Sequence, residues 1–370
     1  MLGRKIIGGL VGVLSLLAFC QVAGAQEYIP FRQRHSRLVV PKYADGKVII
    51  KEEGPQLFFS DSPEMVKECG VTYRDTLSGK VRLFFHHVNA TKSEKKLAVV
   101  LRNKSFRAAT VTVGAQGISK PREEELWLLA GKEAQKDYYT SLGKKSTFKL
   151  LGSRELITGA TGRRFKPNQL ITGIIDLELS KPVEISVYML PVHTDFQSAQ
   201  DVYVPLAPDT GGHVLRGTFP TSKVKVTLGE EFSTQGDTII GITLADNVKN
   251  PYVVGKDALT GEKVTNYGNY GVFYDVNFAT TGKGSTLVKF SPEGGLYAGY
   301  GKFGYAGKTT LIPIPQNKIA FGERGFEDAI TLGEIEGSQA GEISFSPPGS
   351  SNLPIKIILI PQKSLPKDKS

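Results

Sequence analysis

The residues best suited to chemistry are two adjacent histidines, His86 and His87, in the stretch "RLFFHHVNAT" (82–91). Histidine is a frequent metal ligand and acid–base group near neutral pH. The flanking apolar residues indicate a β-strand, on which neighbouring side chains point to opposite faces, so the pair could not bind one ion from the same strand. The other histidines are scattered: His35, His193 and His213. Because no zinc-ligand spacing is present, we predict no metal, no cofactor and a structural role for the pair, with His87 buried.

Three further motifs fall short of a site. Asp209-Thr210-Gly211 is the aspartic-protease triplet, but we found no second copy to face it, so a turn is predicted. Gly307-Lys308-Thr309 matches the end of a phosphate loop, yet Lys302 occupies the position where that motif requires its first glycine, and no helix is predicted to follow. A calcium site around Asp246–Asp257 stays open, although the spacing of Asp246, Asn247, Asn250 and Asp257 fits no EF-hand and a turn-rich connection is favoured.

One group of residues favours ligand binding. Aromatic side chains cluster among glycines in "NYGNYG" and "GGLYAGYGKFGYAGK": Tyr267, Tyr270, Tyr297, Tyr300, Phe303 and Tyr305. Aromatic rings on open loops could stack on sugar faces, which would make a carbohydrate-binding module. Cross-strand aromatic pairing with glycines at bulges explains the same pattern and is the favoured interpretation.

The elements that must position these residues are short strands, because 41 glycines and 20 prolines are spread along the chain. "RLVVPKYADGKVIIK" predicts a hairpin turning at Asp45-Gly46, and 170–190 predicts a second strand pair turning at Ser180-Lys181. One helix is predicted over 120–142. Ser119 would cap it, Pro121 suits its first turn, and its apolar stripe is formed by Leu126, Leu129, Ala130 and Ala134.

An internal repeat organises these elements. "LFFHHVNATKSEKKLAVVL" near residue 83 is echoed by "VFYDVNFATTGKGSTLVKF" near 272, and the ends at Pro191 and Pro361 also match. We therefore predict an all-β chain of two related β-sandwich domains, immunoglobulin-like, the first with a helical insertion. The predicted domains are 61–195 and 205–361, preceded by a basic segment with a hairpin (26–60) and followed by a basic tail (362–370).

The N-terminus indicates export. Arg4 and Lys5, an apolar run and Ala23-Gly24-Ala25 form a signal peptide over 1–25. Cys20 leaves lipidation open as an alternative, although Phe19 is bulky for a lipobox. Cleavage leaves Cys69 as a lone thiol, so no disulfide framework is expected. Because of the signal peptide, we expect the protein to be secreted, with the cell wall as one location.

The chain is basic, with 46 Lys and Arg against 36 Asp and Glu. Basic residues crowd both ends: Arg32, Arg34, Arg37 and Lys42 near the N-terminus, and Lys363, Lys367 and Lys369 near the C-terminus. For an exported protein this charge favours an anionic cell-wall polymer or glycan as partner rather than nucleic acid. No segment after the signal peptide is apolar enough to span a membrane.

Four stretches, "FFHHVNAT", "LADNVKNPYVVG", "VTNYGNYGVFY" and "FSPPGSSNLPIKIILIP", together resemble a known group of sequences. That group is the β-rich region of secreted proteins from anaerobic Gram-positive bacteria, which are named for an accompanying copper amine oxidase N-terminal-like module. Neither that module nor a quinone site is found here, so copper and oxidase activity are not implied. The resemblance implies an extracellular, non-catalytic protein.

The sequence thus predicts a non-catalytic envelope or extracellular protein with a structural or binding role. Two alternatives remain at this stage. A carbohydrate-binding module requires the tyrosine cluster to be exposed on one face. An unrecognised hydrolase requires two carboxylates that meet in a cleft, because no Gly-x-Ser-x-Gly or His-Glu-x-x-His motif is present.

Overall fold

The computed structural model describes residues 43–156, 164–210, 214–315 and 319–364. Within these ranges the chain is built mostly of strands, so the predicted all-β sandwich fold is confirmed. No helix in this part is both long and apolar enough to cross a membrane. The predicted signal peptide, Cys20, the arginines of the N-terminal segment, His35, His213 and the last lysines lie outside the described residues.

Among the described residues, eleven strands lie in the first half and fifteen in the second. The first eleven are β1 (Ala44–Asp45), β2 (Val48–Glu53), β3 (Gln56–Ser60), β4 (Met65–Val66), β5 (Gly70–Asn89), β6 (Lys95–Asn103), β7 (Ala109–Ile118), β8 (Ser146–Leu150), β9 (Gly152–Glu155), β10 (Arg164–Phe165) and β11 (Leu170–Pro191). The described helices are α1 (Trp127–Thr140), α2 (Phe196–Val202) and the 3₁₀ turns Glu124–Leu126 and Gln362–Ser364.

Fifteen of the described strands lie in the second half. They are β12 (Arg216–Phe219), β13 (Lys223–Leu228), β14 (Phe232–Ser233), β15 (Ile240–Leu244), β16 (Val254–Lys256), β17 (Lys263–Thr265), β18 (Phe273–Thr281), β19 (Ser285–Ser291), β20 (Gly295–Leu296), β21 (Gly299–Tyr305), β22 (Lys308–Ile314), β23 (Ala320–Phe321), β24 (Ile330–Glu336), β25 (Ala340–Phe345) and β26 (Ile355–Pro361).

The two halves have the same strand order. In the first, one layer runs β3–β5–β11–β7–β8 and the other runs β5–β11–β6–β9, because β5 and β11 are long enough to take part in both. In the second, the layers are β13–β18–β25–β21–β22 and β15–β26–β19–β24. Each half also has one parallel edge strand, β3 in the first and β13 in the second. The remaining strands are connected as in a jelly roll, and this order differs from the immunoglobulin-like order that we predicted. We call the halves the first roll (56–191) and the second roll (223–361).

The long strand β11 differs from the strand pair predicted for 170–190. Leu170–Leu179 pairs with Gly79–Val88, and after a register shift Val183–Met189 pairs with Gly70–Leu77. The chain therefore bends near Ser180 and continues into the other layer instead of turning back, so this predicted hairpin is wrong.

The rolls exchange their edge strands. β2, which leads into the first roll, pairs antiparallel with β13 of the second, and β12, which leads into the second roll, pairs antiparallel with β3 of the first. The two connections cross where Ser222 Oγ donates to the Pro55 carbonyl at 2.8 Å. The predicted segment 26–60 therefore pairs with both predicted domains, since β3 also pairs with β5 of 61–195 while β2 and β3 pair with strands of 205–361. Superposition of the two halves stays a prediction.

Of the hairpin predicted at Asp45-Gly46, the first run (37–42) lies outside the described residues, and the strands on either side of the dipeptide have other partners. β1 pairs in parallel with β15, whereas β2 pairs with β13, so the two strands enter different layers of the second roll. Gly46 lies between these layers, where a Cβ would approach Ile240 and Ile242 to 3.0 Å. Gly46 N donates to the Gly241 carbonyl at 3.0 Å, so the chain continues alongside β15 at the position where the turn was predicted.

Helix α1 is the insertion predicted in the first roll, but it begins at Trp127 instead of residue 120. Arg122 exchanges backbone hydrogen bonds with Leu170, so residues before the helix extend the sheet, and Ser119 Oγ accepts from Thr172 N. The buried face of α1 includes Ala130 and Ala134 as predicted. It also carries Gly131, Gln135, Tyr138 and Tyr139.

The same helix joins the two rolls. Gln135 Nε2 donates to the Ser346 carbonyl at 2.7 Å and Gln135 Oε1 accepts from Tyr300 N at 2.8 Å. Tyr138 and Tyr139 contact Phe273 of the second roll, with ring centroids 5.0 and 5.8 Å apart. Apolar packing is therefore continuous from the second roll into the outer face of the first.

Candidate functional site

His87 points into the first roll and is held by two hydrogen bonds. Nδ1 lies 2.9 Å from the Pro63 carbonyl, which can only accept, so Nδ1 carries the proton. Nε2, 2.9 Å from Ser60 Oγ, accepts from that hydroxyl. This arrangement has the atoms of a nucleophile–base pair, but Ser60 and His87 are both fully buried, so no substrate can reach the hydroxyl. Its role is to fix the end of β3 against β5.

His86 lies on the opposite face of β5, stacked beside Phe84, and is also buried. Its cover comes from the second roll, since a Cβ on Gly349 would lie 2.5 Å from the imidazole ring. The prediction that one histidine of the pair faces outward is therefore wrong. The sequence could not show that another roll packs on this face.

An acidic group, the Asp61 cluster, comprises Asp61, Glu64 and Asp209, and its Glu64 lies beside His86. Asp61 is 8 % exposed and its Oδ1 has no partner among the described residues. Burial, with repulsion from Glu64 and Asp209, raises the pKa of Asp61 well above its usual value. Burial and Asp209 raise the pKa of Glu64, whose Oε1 lies 3.8 Å from His86 Nε2. This environment favours the neutral form of Asp61 and of Glu64.

Asp209 belongs to the triplet that resembles an aspartic protease. Its Oδ2 accepts from Ser62 Oγ at 3.0 Å and Glu64 N at 2.8 Å, so it holds the loop after β3. Our sequence analysis missed Asp61-Ser62-Pro63, an acidic motif that follows a buried strand. Across the described ranges, no three His, Cys, Asp or Glu side chains are placed to hold a metal ion.

The residues considered for calcium use their oxygens locally. Asp246 Oδ1 accepts from three backbone amides, and Asn250 Oδ1 accepts from Ala245 N and Tyr274 OH. Asn247 Oδ1 caps Tyr252 N. Asp257 is ion-paired with Arg216, with 2.8 Å between Oδ2 and Nη2. The segment has the hydrogen bonding of a turn-rich connection.

The predicted tyrosine cluster is not one open platform. Tyr297 and Phe303 are buried in the second roll. Tyr270 OH donates to the Ser351 carbonyl at 3.1 Å, and burial with repulsion from Asp61 raises its pKa to about 12.

The remaining rings of the cluster are more accessible but pair locally. Tyr305 contacts Phe303 at 5.5 Å between centroids, and Tyr267 contacts Tyr252 at 5.9 Å. Tyr300 is half-buried under the Lys132 ammonium. Gly307 is in the tight turn between β21 and β22, where the chain continues as sheet rather than as a phosphate-binding helix.

A polar groove of about 550 Å³ lies where α2 packs on the first roll. We call it the α2 groove; it is lined by Arg102, Asn103, Lys104, Leu151, Gly152, Ser153, Gln197 and Gln200. Such a volume is within the usual range for small-ligand sites. The groove was not predicted, because α2 lies between the predicted domains 61–195 and 205–361 and no helix was expected there.

The interiors of both rolls are filled by apolar side chains. Phe85, Val99 and Ile175 are among those in the first, and Val276, Phe290 and Ile357 are among those in the second. The candidate ligand surfaces of this chain are therefore on the outside.

The chain was compared with known proteins, and neither a family model nor a curated protein matches it. Among solved structures, the CUB1-EGF-CUB2 domains of rat MASP-1 are similar at TM-score 0.19 and 11 % identity, over 80 % of this chain and 97 % of that one. Vicilin from Solanum lycopersicum (tomato) is similar at TM-score 0.11 and 10 % identity, over 82 % and 85 %. Scores this low carry no argument about fold or function.

The buried histidines predict acid sensitivity. Burial lowers the pKa of His86 to about 3 and of His87 to about 4. A lowered folded-state pKa gives stability that is present above the unfolded value near 6.5 and is lost as pH falls through the folded values. Since one pKa unit is worth about 1.4 kcal/mol, we expect a loss of several kcal/mol between about pH 6.5 and pH 3. Urea unfolding followed across this range measures it.

The variant His86→Gln isolates this effect from that of Asp61 and Glu64, whose raised pKa values act in the opposite direction. It should flatten the acid limb of the stability curve. The exposed His193→Gln is the matched control and should leave that limb unchanged. Equal slopes for His86→Gln and the parent chain would contradict the assignment.

Proposed function

We propose that this chain is an exported, non-catalytic protein of the cell envelope that binds an anionic polymer through its first roll. The supporting observation is the division of charge. Residues 61–195 contain 22 Lys and Arg against 15 Asp and Glu, whereas residues 205–361 contain 13 against 15. A surface with an excess of one sign attracts polyions of the other sign over long distances.

The described residues whose types and contacts resemble catalytic groups are buried. The Ser60–His87 contact is fully buried, and Asp61, the carboxyl with the strongly raised pKa, is nearly so. The hydrolase alternative needs two carboxylates in an open cleft. The two rolls exchange edge strands and their interiors are packed with apolar side chains, an arrangement that is consistent with a structural and binding role.

The test is sedimentation of the purified mature chain with isolated anionic cell wall. We expect binding at low salt and release in molar salt, because added ions shorten the Debye length to about 3 Å at 1 M. Trimming the basic segments at both ends should remove part of the binding. A chain that stays in the supernatant at low salt would refute the proposed partner.

A further inference from the structure

We propose that the α2 groove is a shaped binding site for an acidic group on a polyhydroxylated chain, such as a uronic acid or a polyol phosphate. This inference rests on the proposed function and specifies where the polymer is held. A shaped site differs from the long-range electrostatic attraction of a basic surface, because specific side chains, Arg102, Gln197 and Gln200, would recognise the ligand.

The frame of the groove is fixed by hydrogen bonds. Asn103 is buried, and its Nδ2 donates to the carbonyls of Arg107 and Leu150 at 3.0 and 2.9 Å. Its Oδ1 accepts from Ser105 N at 2.9 Å. These bonds hold the end of β6 and the loop after it, so the neighbouring side chains of the groove start from a rigid backbone.

Helix α2 forms the other wall and is fixed too. Asp195 caps its first turn by accepting from Ser198 N, and Ala199 is buried against the outer face of β6 and β11. Ser153 Oγ donates to Gln200 Oε1 at 3.0 Å, which turns the amide nitrogen of Gln200 away from that bond. The wall therefore presents a donor.

The unused groups are mostly donors. Among the described residues, no ion pair or hydrogen bond engages the Arg102 guanidinium or the Gln197 amide. Lys104 adds an ammonium, which also contacts Glu184 at 2.6 Å. An arginine offers two parallel donors to a carboxylate or phosphate, and charge-assisted bonds of this kind are the strong ones. Amide groups suit the hydroxyls beside that acidic group.

An apolar surface borders these donors. Leu151 lines the groove and is 67 % exposed. Sugars and polyols carry C–H faces that pack on such side chains while their hydroxyls face the amides. Donors, one free guanidinium and an apolar side chain together fit an acidic saccharide or polyol phosphate better than a neutral or cationic ligand.

The experiment is calorimetric titration of the mature chain at physiological salt with three probes: a short oligogalacturonate, a short glycerol-phosphate oligomer and neutral maltohexaose. We expect one or both acidic probes to bind and maltohexaose to bind at least tenfold more weakly. Arg102→Gln should weaken the acidic probe at least tenfold. The matched control Lys136→Gln removes the same charge from the exposed face of α1 and should change affinity less than twofold.

Gln197→Ala serves as a second variant, and thermal midpoints check that each variant is folded. Equal affinities for Arg102→Gln and Lys136→Gln, or equal binding of maltohexaose, would overturn the groove assignment. If the chain sediments with wall but binds neither acidic probe, the groove inference fails while the proposed function stands. If it does not sediment with wall either, the proposed function has failed.

Discussion

Replacing Arg216 by methionine is expected to destabilise the protein by roughly 3–5 kcal/mol, the usual cost of removing one partner of a buried ion pair. The side chains of Arg216 and Asp257 are 1 % and 2 % exposed, and Nη2 lies 2.8 Å from Oδ2. Arg216 Nη1 also donates to the carbonyls of Thr72 and Leu206 at 3.2 and 2.9 Å. The variant therefore leaves the buried Asp257 carboxylate without a counter-ion and removes a donor from two interior carbonyls.

Urea unfolding at pH 7 measures this loss. The matched control is Lys47→Met, since Lys47 and Glu230 are 87 % and 81 % exposed and 4.0 Å apart, and its stability should be almost unchanged. The double variant Arg216→Met with Asp257→Leu should recover much of the loss, because no charge is then left alone. A single-variant loss below about 1 kcal/mol would contradict the buried pair.

Gly117→Ala is the second change with a large expected effect. Gly117 is on β7 under α1, and a Cβ there would lie 1.9 Å from the Ala134 carbonyl oxygen and 2.4 Å from Tyr138 N. Both are backbone atoms, so the helix itself must move. Overpacking of this kind costs roughly 1–3 kcal/mol, occasionally more, and we expect the upper end because α1 joins the rolls.

The measurement is again the unfolding free energy, with limited proteolysis of α1 as a second readout. Gly114→Ala on the same strand is the control, because its Cβ would meet the nearest atom of Asp176 at 3.4 Å, an ordinary contact. We expect Gly117→Ala to lose stability and to expose α1 to protease, and Gly114→Ala to do neither. Equal behaviour of the two variants would contradict the docking of α1.

The internal repeat could be predicted because it depends on local sequence patterns that recur in the two halves. The matched residues Phe84 and Phe273 lie on β5 and β18, which occupy the same place in the two rolls. Leu97 and Leu287 are also matched and lie on the equivalent strands β6 and β19. The stretches that end at Pro191 and Pro361 are likewise equivalent, as the ends of β11 and β26. Alternating apolar residues specify each strand and its buried face.

The strand exchange could not be predicted from those patterns. A turn signal such as Asp45-Gly46 favours a local hairpin, but β1 and β2 pair with strands about 170–200 residues away. The start of α1 was misplaced for a similar reason, since Arg122 pairs with Leu170 despite the helix signals at Ser119 and Pro121. Long-range partners overrode local preference in both cases.

For the candidate binding site, too, some features could be predicted from the sequence and others depended on long-range contacts. The charge difference between the halves can be counted in the sequence, but the α2 groove requires knowing that residues 196–202 form a helix over Arg102. For the tyrosine cluster, glycines beside aromatics fit an open loop and a packed strand equally well. The register of β21 with β25 decides for the strand, with Phe303 buried opposite Ile343.

The most direct test of an anionic-polymer binder is wall sedimentation of two matched charge variants at low salt. One neutralises three exposed lysines of the first roll, Lys80, Lys92 and Lys144, as glutamines. The other neutralises three exposed lysines of the second roll, Lys225, Lys263 and Lys308, in the same way. We predict that the first variant loses most of its binding and the second keeps it. Equal loss from both variants, or no loss from the first, would contradict binding through the first roll.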